Sequence, residues 1–204
     1  MSKSVIIIGA SGHGKVVADI ILRTGDLVLG FLDDQRNPGD SHVGFPVLGK
    51  VEDYKNYPEA WFVIAIGNAS ARAKISDGLE GVRWYTAVHP AAAVSPLETS
   101  IGAGTVVMAG AVVNPGAQIG RHCIINSGSV VEHDTRIGDF VHISVGAKLA
   151  GSVTIGRKTW VGIGAVVSNG LEVCAGCTIG AGCVVVNDIP VPGTYVGVPA
   201  RKLK

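Results

Sequence analysis

The sequence predicts two structural regimes in one chain, an α/β half built on a small parallel sheet and an all-β half built as a parallel β-helix. Three observations carry this. Up to about residue 90, short β-branched runs alternate with segments of helical period. From Ile101 an aliphatic residue returns at every sixth position through Val185 without a gap. Glycine repeatedly follows that aliphatic residue, as at Gly102, Gly120, Gly138, Gly156, Gly162 and Gly180.

In the first half, residues 5–8 (Val-Ile-Ile-Ile) read as a buried strand. A helix is expected after Gly12, because Val16, Val17, Ile20 and Ile21 recur at helical spacing, and Gly25 closes it. Residues 27–32 form a second strand ending in Asp33-Asp34, and residues 62–66 a third ending in Gly67-Asn68. Residues 69–79 continue as helix. This βαβ order implies a small parallel sheet, and the domain boundary is expected at residues 90/91.

In the second half, one hexad makes one short face and three hexads one coil, so residues 101–190 supply five coils. Each aliphatic side chain points inward and stacks on the one eighteen residues later. Two positions before it the residue is mostly small, as at Ala111, Ala117, Cys123, Ser129, Ala147, Ala165, Cys177 and Cys183. Three of the four cysteines therefore fill a small buried slot, where free cysteine behaves as a small hydrophobe. The remaining one makes Cys174-x-x-Cys177, a spacing also used for zinc or redox chemistry, but no second pair or histidine completes a tetrahedral site. Packing is the preferred reading.

Composition narrows the function. The 204 residues carry a formal net charge of +1, which speaks against a general nucleic-acid or membrane surface. The first apolar run is cut by glycines that suit a turn rather than a leader, and no stretch approaches the length of a membrane span. A cytoplasmic protein is expected, with no metal.

The run Ala10-Ser11-Gly12-His13-Gly14-Lys15 follows the first strand directly. Its glycines read G-x-x-G-x-G (Gly9, Gly12, Gly14), not the dinucleotide spacing. Backbone N–H groups at Ser11–Gly14 and the helix N-terminus suit a phosphate; the alternative is a tight turn without a ligand. Asp33 lies 21 residues beyond Gly12, near the spacing of about 20 at which dinucleotide folds place an acid on a ribose. Among the histidines, His42 lies in a polar loop, His89 precedes Pro90, and His122 is expected at a coil surface. His133 stands out between Glu132 and Asp134 on a repeat otherwise lined by aliphatic and small residues. A carboxylate orients an imidazole and stabilises its protonated form, although a solvated acidic corner is also open.

The aliphatic-Gly repeat and the ending Val196-Gly197-Val198-Pro199-Ala200-Arg201 resemble the left-handed β-helix acyltransferases. Gly9-Ala10-Ser11-Gly12-His13-Gly14, Phe31-Leu32-Asp33-Asp34, Ala65-Ile66-Gly67-Asn68, Val131-Glu132-His133-Asp134 and His142-Ile143-Ser144-Val145-Gly146-Ala147 extend the resemblance over the whole chain. They match sugar acetyltransferases with an N-terminal Rossmann-like domain: sialic acid O-acetyltransferases, GDP-perosamine N-acetyltransferases and the UDP-4-amino-sugar N-acetyltransferases of bacillosamine synthesis, the last most closely. The resemblance implies acetyl-CoA as donor and a homotrimer with sites between neighbouring prisms. It implies a UDP-amino-sugar held by Ser11, Gly12, His13, Gly14, Asp33, Asp34, Gly67 and Asn68. It makes His133 the general base for an amine attacking a thioester, by direct transfer. Where the family has a glutamate after this histidine the chain has Asp134, which leaves open whether Asp134 or Glu132 orients the ring. His142, Gly151 and Ile163 match donor-contacting positions, with a main-chain N–H near Gly151 facing the thioester oxygen. For His142, packing over Trp160 is the alternative. The tail Arg201-Lys202-Leu203-Lys204 is expected to attract the donor's phosphates. O-acetylation of a sugar, a GDP-perosamine substrate and a non-catalytic binding protein are the rival readings.

Overall fold

In the computed structural model, which describes residues 2–203, the chain divides at Pro90/Ala91 into two compact units. Lys204 of the expected phosphate-attracting tail lies outside the described residues.

The first unit is a six-stranded sheet flanked by helices. Its strands are β1 (Ser4–Ile8), β2 (Leu27–Leu32), β3 (Ser41–His42), β4 (Phe45–Gly49), β5 (Trp61–Ile64) and β6 (Arg83–Trp84), in the order β3-β4-β2-β1-β5-β6. All neighbours pair in parallel except β3 with β4. Helix α1 (Gly12–Arg23) joins β1 to β2, and α2 (Ala69–Gly78) follows β5. Residues 5–8 are buried on both faces, as their unbroken apolar run requires. Because β2 and β5 lie on opposite sides of β1, the chain reverses its direction of growth there and opens a crevice at the carboxyl ends of the strands, where open α/β sheets bind ligands.

Two glycines hold the first turn together. Gly9 has φ +111°, and a Cβ there would lie 2.9 Å from the carbonyl oxygen of Ala65. A Cβ on Gly14 would strike the carbonyl oxygen of Gly9, so helix α1 seats on β1 only without one. Strand β5 begins and ends earlier than the expected 62–66, because the chain leaves the ladder once Ala65 N–H has reached Ile8 O at 2.8 Å. β3, β4 and a 3₁₀ turn (Val51–Asn56) are not anticipated. β4 contains Pro46, which hides a strand pattern and is tolerated next to the two-residue edge β3.

The second unit is the expected parallel β-helix. Two-residue strands recur every six residues and pair in parallel with those eighteen residues on, for example Val107 with Ile125, Ile125 with Ile143 and Ile143 with Val161. The inward aliphatic ladder is at most 4 % exposed from Val107 to Val185. Ala111, Ala117, Cys123, Ser129, Ala147, Ala165, Cys177 and Cys183 are buried beneath it, as the small-slot pattern requires. The three outward faces differ. One carries Ser100, Gln118, Arg136, Thr154 and Glu172. A second carries Val112, Val130, Lys148, Val166 and Val184. The third carries Ile124, His142, Trp160 and Thr178.

The turns require left-handed backbone, supplied by glycine at most corners and by His122, Asp134, Phe140, Ser152 and Lys158 at others. His122 corrects its expected surface position: it is 1 % exposed. Its ring stacks on Phe140 one coil later at 5.3 Å between centroids, and the Arg157 guanidinium lies 4.9 Å over Phe140. Gly104, one coil earlier, makes room, since a Cβ there would strike the imidazole. No helix among the described residues is long and apolar enough to cross a membrane.

Backbone crowding separates two kinds of glycine. At Gly120 an added Cβ meets the backbone nitrogen of Asp139 at 2.7 Å, whereas at Gly128 (φ +64°) nothing lies within 4 Å. Gly120→Ala is therefore expected to cost about 1–3 kcal/mol by overpacking between coils. Gly128→Ala should cost only the left-handed penalty of roughly 1–2 kcal/mol. Urea unfolding of both variants checks the order.

Candidate functional site

Two chemically distinct sites emerge, one in each unit. The first is a cavity of about 760 Å³ at the carboxyl ends of the parallel strands. Gly9 and Ser11 follow β1, Asp33 and Asp34 follow β2, and Gly67 follows β5, and all five line it. Val51, Tyr54, Ile75 and Leu79 form an apolar wall, while Lys55 and Lys74 add positive charge at the rim. An apolar slot beside carboxylates, lysines and backbone N–H groups fits a base, a ribose and a phosphate chain.

The loop after β1 is held from three sides. Gly9 N–H donates to Leu32 O at 2.9 Å, Ala10 N–H to Asp33 Oδ2 at 2.6 Å, and His42 Nε2–H to the Ser11 carbonyl at 3.1 Å. His42 is buried with its ring edge-on to Phe31, so the polar-loop reading of this residue is corrected. Nothing in its local sequence marks it, since it meets Ser11 only through the β3–β4 hairpin. Ser11 is the N-cap of α1 but makes no side-chain cap bond, and no acidic residue occupies the first turn. That helix start is thus electrostatically suited to an anion.

The paired acids also serve the scaffold. Asp33 Oδ1 accepts from Gln35 N–H at 2.8 Å, and Asp34 Oδ1 accepts from Val51 N–H at 2.9 Å. Each carboxylate keeps further lone-pair directions. Gly12, His13, Gly14 and Asn68 do not line the cavity. Gly14 is committed to packing on Gly9, and Asn68 caps α2 by accepting from Ala71 N–H at 2.9 Å. Arg72, fully buried, donates to the carbonyls of Ile66 at 2.9 Å and Gly67 at 2.8 Å and so shapes the β5–α2 loop. A lone arginine on a polar helix gave the sequence no reason to single it out. Burial, with the Arg72 charge second, pushes His13 down to about 4, and its Nε2 meets no partner among the described residues.

The second site lies on a corner of the β-helix, in a shallow groove lined by Glu132, His133, Ala150, Gly151, Ser152, Asn169 and Gly170. His133 Nδ1 is 2.9 Å from Asp134 Oδ2, whereas Glu132 turns back to accept from the His133 backbone N–H at 3.2 Å. Asp134, not Glu132, therefore orients the ring. Asp134 reaches it because its backbone adopts φ +59°. The Asp134 hydrogen bond raises the His133 pKa; desolvation opposes it, and the charges of Asp134 and Glu132 add to the rise. With His133 60 % exposed, this pair is an orienting device rather than a source of stability. Nε2 points over Gly151, where a Cβ would approach it to 2.5 Å. The Gly151 N–H is absent from the main-chain ladder, although Ala150 and Ser152 on either side donate to Val167 O and His133 O.

His142 belongs to a separate cluster on the face opposite that corner. Asn126 Oδ1 accepts from Ser127 N–H at 2.8 Å, which leaves its Nδ2 to donate to His142 Nε2 at 3.1 Å. A neutral His142 therefore carries its proton on Nδ1. The ring stacks on Trp160 at 6.1 Å, so the packing alternative is present geometrically. Ile163 lies on a further corner, 57 % exposed beside the exposed Val145. Asn126 was not foreseen: its polarity is ordinary for a coil corner. The described residues contain no group of three or more His, Cys, Asp or Glu side chains able to hold a metal.

Comparison with known proteins follows both units. The family model described as the PglD N-terminal domain matches residues 4–79, and the bacterial transferase hexapeptide model (six repeats) matches 98–133. The acetyltransferase domain of PglB from Neisseria gonorrhoeae FA1090 is 40 % identical with a TM-score of 0.94, over 99 % of this chain and all of that one; it is also solved in complex with acetyl coenzyme A. A histidine-to-asparagine mutant of perosamine N-acetyltransferase from Caulobacter crescentus, in complex with CoA and GDP-perosamine, is 35 % identical with a TM-score of 0.93, over 98 % of this chain and 97 % of that one. UDP-N-acetylbacillosamine N-acetyltransferase of Bacillus subtilis is 40 % identical over 113 residues, 52 % of each chain. An uncharacterised protein of Acanthamoeba polyphaga mimivirus is 32 % identical over 59 % of this chain. The chain thus spans about a quarter of the length of the mimivirus relative and about half of that of the Bacillus one.

The His133–Asp134 geometry sets a measurable acidity. Asp134→Asn removes the main cause that raises the His133 pKa. The imidazole should then titrate closer to 6.5, read by NMR titration of its ring protons.

Proposed function

The chain belongs to the hexapeptide-repeat sugar N-acetyltransferases that carry a PglD-type N-terminal domain, and from that premise we propose that it transfers the acetyl group of acetyl-CoA to the 4-amino group of a UDP-4-amino-4,6-dideoxy sugar. Residues 1–90 hold the nucleotide sugar and residues 91–204 carry out the transfer, in the cytoplasm. The observation that carries the reading is the imidazole of His133, fixed at Nδ1 by Asp134 and leaving Nε2 free above Gly151.

His133 acts as general base. The Asp134 carboxylate keeps the proton of the neutral ring on Nδ1, so Nε2 presents a lone pair. As the sugar nitrogen attacks the thioester carbon, Nε2 takes the proton that nitrogen must lose. The Gly151 N–H stabilises the oxyanion while the C–N bond forms. When the C–S bond breaks, the imidazolium returns its proton to the departing thiolate. No covalent acyl-enzyme is needed, and the groove residues include no cysteine.

The donor side draws on His142 and Ile163, which lie away from the His133 corner of the same prism. Contacts to one donor from both sets require neighbouring prisms, and three copies pack to provide them. The outward valines at 112, 130, 166 and 184 support such packing, because that face of the β-helix is apolar apart from Lys148 while another carries Ser100, Gln118, Arg136, Thr154 and Glu172. In the first unit, Ser11 and the first turn of α1 bind the diphosphate, Asp33 and Asp34 meet ribose and base, and Gly67 lets the nucleotide lie close. Gly12, His13 and Gly14 contribute the backbone N–H groups of that first turn rather than side chains, and Asn68 acts from behind through the α2 cap.

A panel of UDP-, GDP- and CMP-linked amino and hydroxy sugars with acetyl-CoA, followed by free-thiol release, tests the reading. The UDP-4-amino sugar should give the highest kcat/KM; preferred turnover of a GDP-linked or hydroxy sugar overturns the assigned acceptor. His133→Ala is expected to lower kcat by about 10²–10⁴-fold, and near-normal turnover removes it as base. His42→Phe keeps a ring but loses the bond to Ser11. It should raise KM for the nucleotide sugar up to about tenfold, the equivalent of roughly 1.4 kcal/mol, while leaving KM for acetyl-CoA unchanged.

A further inference from the structure

The turn Cys174-Ala175-Gly176-Cys177 lies in the last full coil, away from the groove of His133. Its geometry departs from simple packing. Gly176, at φ +72°, closes the turn and brings the two Sγ atoms to 3.5 Å. Cys177 fills its small inward slot and is buried, but Cys174 is half-buried. Cys123 and Cys183, by contrast, are buried in slots of their own. The turn is fixed on both sides. Thr159 Oγ1 donates to Cys174 O at 2.9 Å and accepts from Cys177 N–H at 3.2 Å. Cys174 N–H donates to Ile189 O and Thr178 N–H to Gly193 O, each at 2.9 Å, so the turn grips the segment that closes the β-helix.

We propose that Cys174 and Cys177 form a redox-active dithiol, which a small disulfide oxidant converts into a disulfide spanning this turn. The two ends of a four-residue turn lie less than about 7 Å apart at Cα, the separation beyond which a disulfide needs backbone movement. The Sγ atoms must close only from 3.5 Å to about 2.05 Å. The half-exposed Cys174 is the entering nucleophile, because burial, then the neighbouring Cys174, pushes the Cys177 thiol up to about 11. The thiolate of Cys174 attacks one sulfur of the oxidant, whose S–S bond breaks and releases one thiol. Cys177 then loses its proton and attacks Cys174 Sγ, expelling the second thiol. The two cysteines lose two electrons in all, and the oxidant gains them as two thiols. The nearby Lys202 charge favours the Cys177 thiolate needed in the second step.

The test uses the full chain in oxidised glutathione, with denaturing quench, thiol counting and peptide mapping. The expected result is a fall from four free thiols to two, a mass loss of two hydrogens, and one crosslink joining 174 to 177. Cys174→Ser and Cys177→Ser should each abolish the crosslink. Cys183→Ser should preserve it, since Ser129 occupies an equivalent slot. Four surviving thiols, a persistent glutathione adduct on Cys174, or a crosslink between chains overturns the proposal. The readout is independent of acetyl transfer, so failure of one leaves the other standing.

Discussion

Parallel pairing across an interval of eighteen residues is the constraint from which the rest of the second unit follows. It stacks each inward aliphatic side chain on its counterpart one coil away, as Ile125 on Ile143. It also makes every coil corner part of a column. The inward position is bound to size and hydrophobicity, and the slot before it to smallness. The candidate site side chains therefore stand where the pairing leaves freedom, at corners and on outward faces: His133 and Asp134 on a corner, His142 on a face.

The first unit solves a different problem with a related economy. Its cavity is formed by loops that must hold shape without a packed interior of their own. They do so by spending polar side chains on backbone groups: Asp33 on Ala10 and Gln35, Asp34 on Val51, His42 on Ser11, Arg72 on Ile66 and Gly67. These four side chains come from three separate stretches of chain. Small residues, Gly9, Ser11 and Gly67, stand at the strand ends of this cavity, while Val51, Tyr54, Ile75 and Leu79 wall it.

Legibility in the sequence followed the range of the interactions involved. The six-residue period, the helix after Gly12 and the strand 27–32 were readable because each depends on neighbours within one repeat or one turn. The E-H-D cluster was readable for the same reason, although the sequence left the orienting acid open between Glu132 and Asp134. Their rotamers decide it, one turned to the backbone and one to the ring. His42, His122 and Asn126 were misjudged or passed over because their partners lie 31, 18 and 16 residues away. Pro46 concealed β4, since a strand whose outer neighbour is only the two-residue edge β3 may contain the residue that local propensity excludes.

One column of corners has a wider meaning. Glu98, Gly116, Asp134, Ser152 and Gly170 succeed one another along it, and all share left-handed backbone. A residue with a side chain accepts roughly 1–2 kcal/mol of conformational penalty there. Glycine avoids that penalty and contributes no chemistry. Successive coils have resolved this choice differently while the aliphatic interior stayed uniform. The column thus behaves as a row of interchangeable sockets, where a reactive group can be gained or discarded at small and local expense. A scaffold of this kind allows new reactivity to be tried one rung at a time.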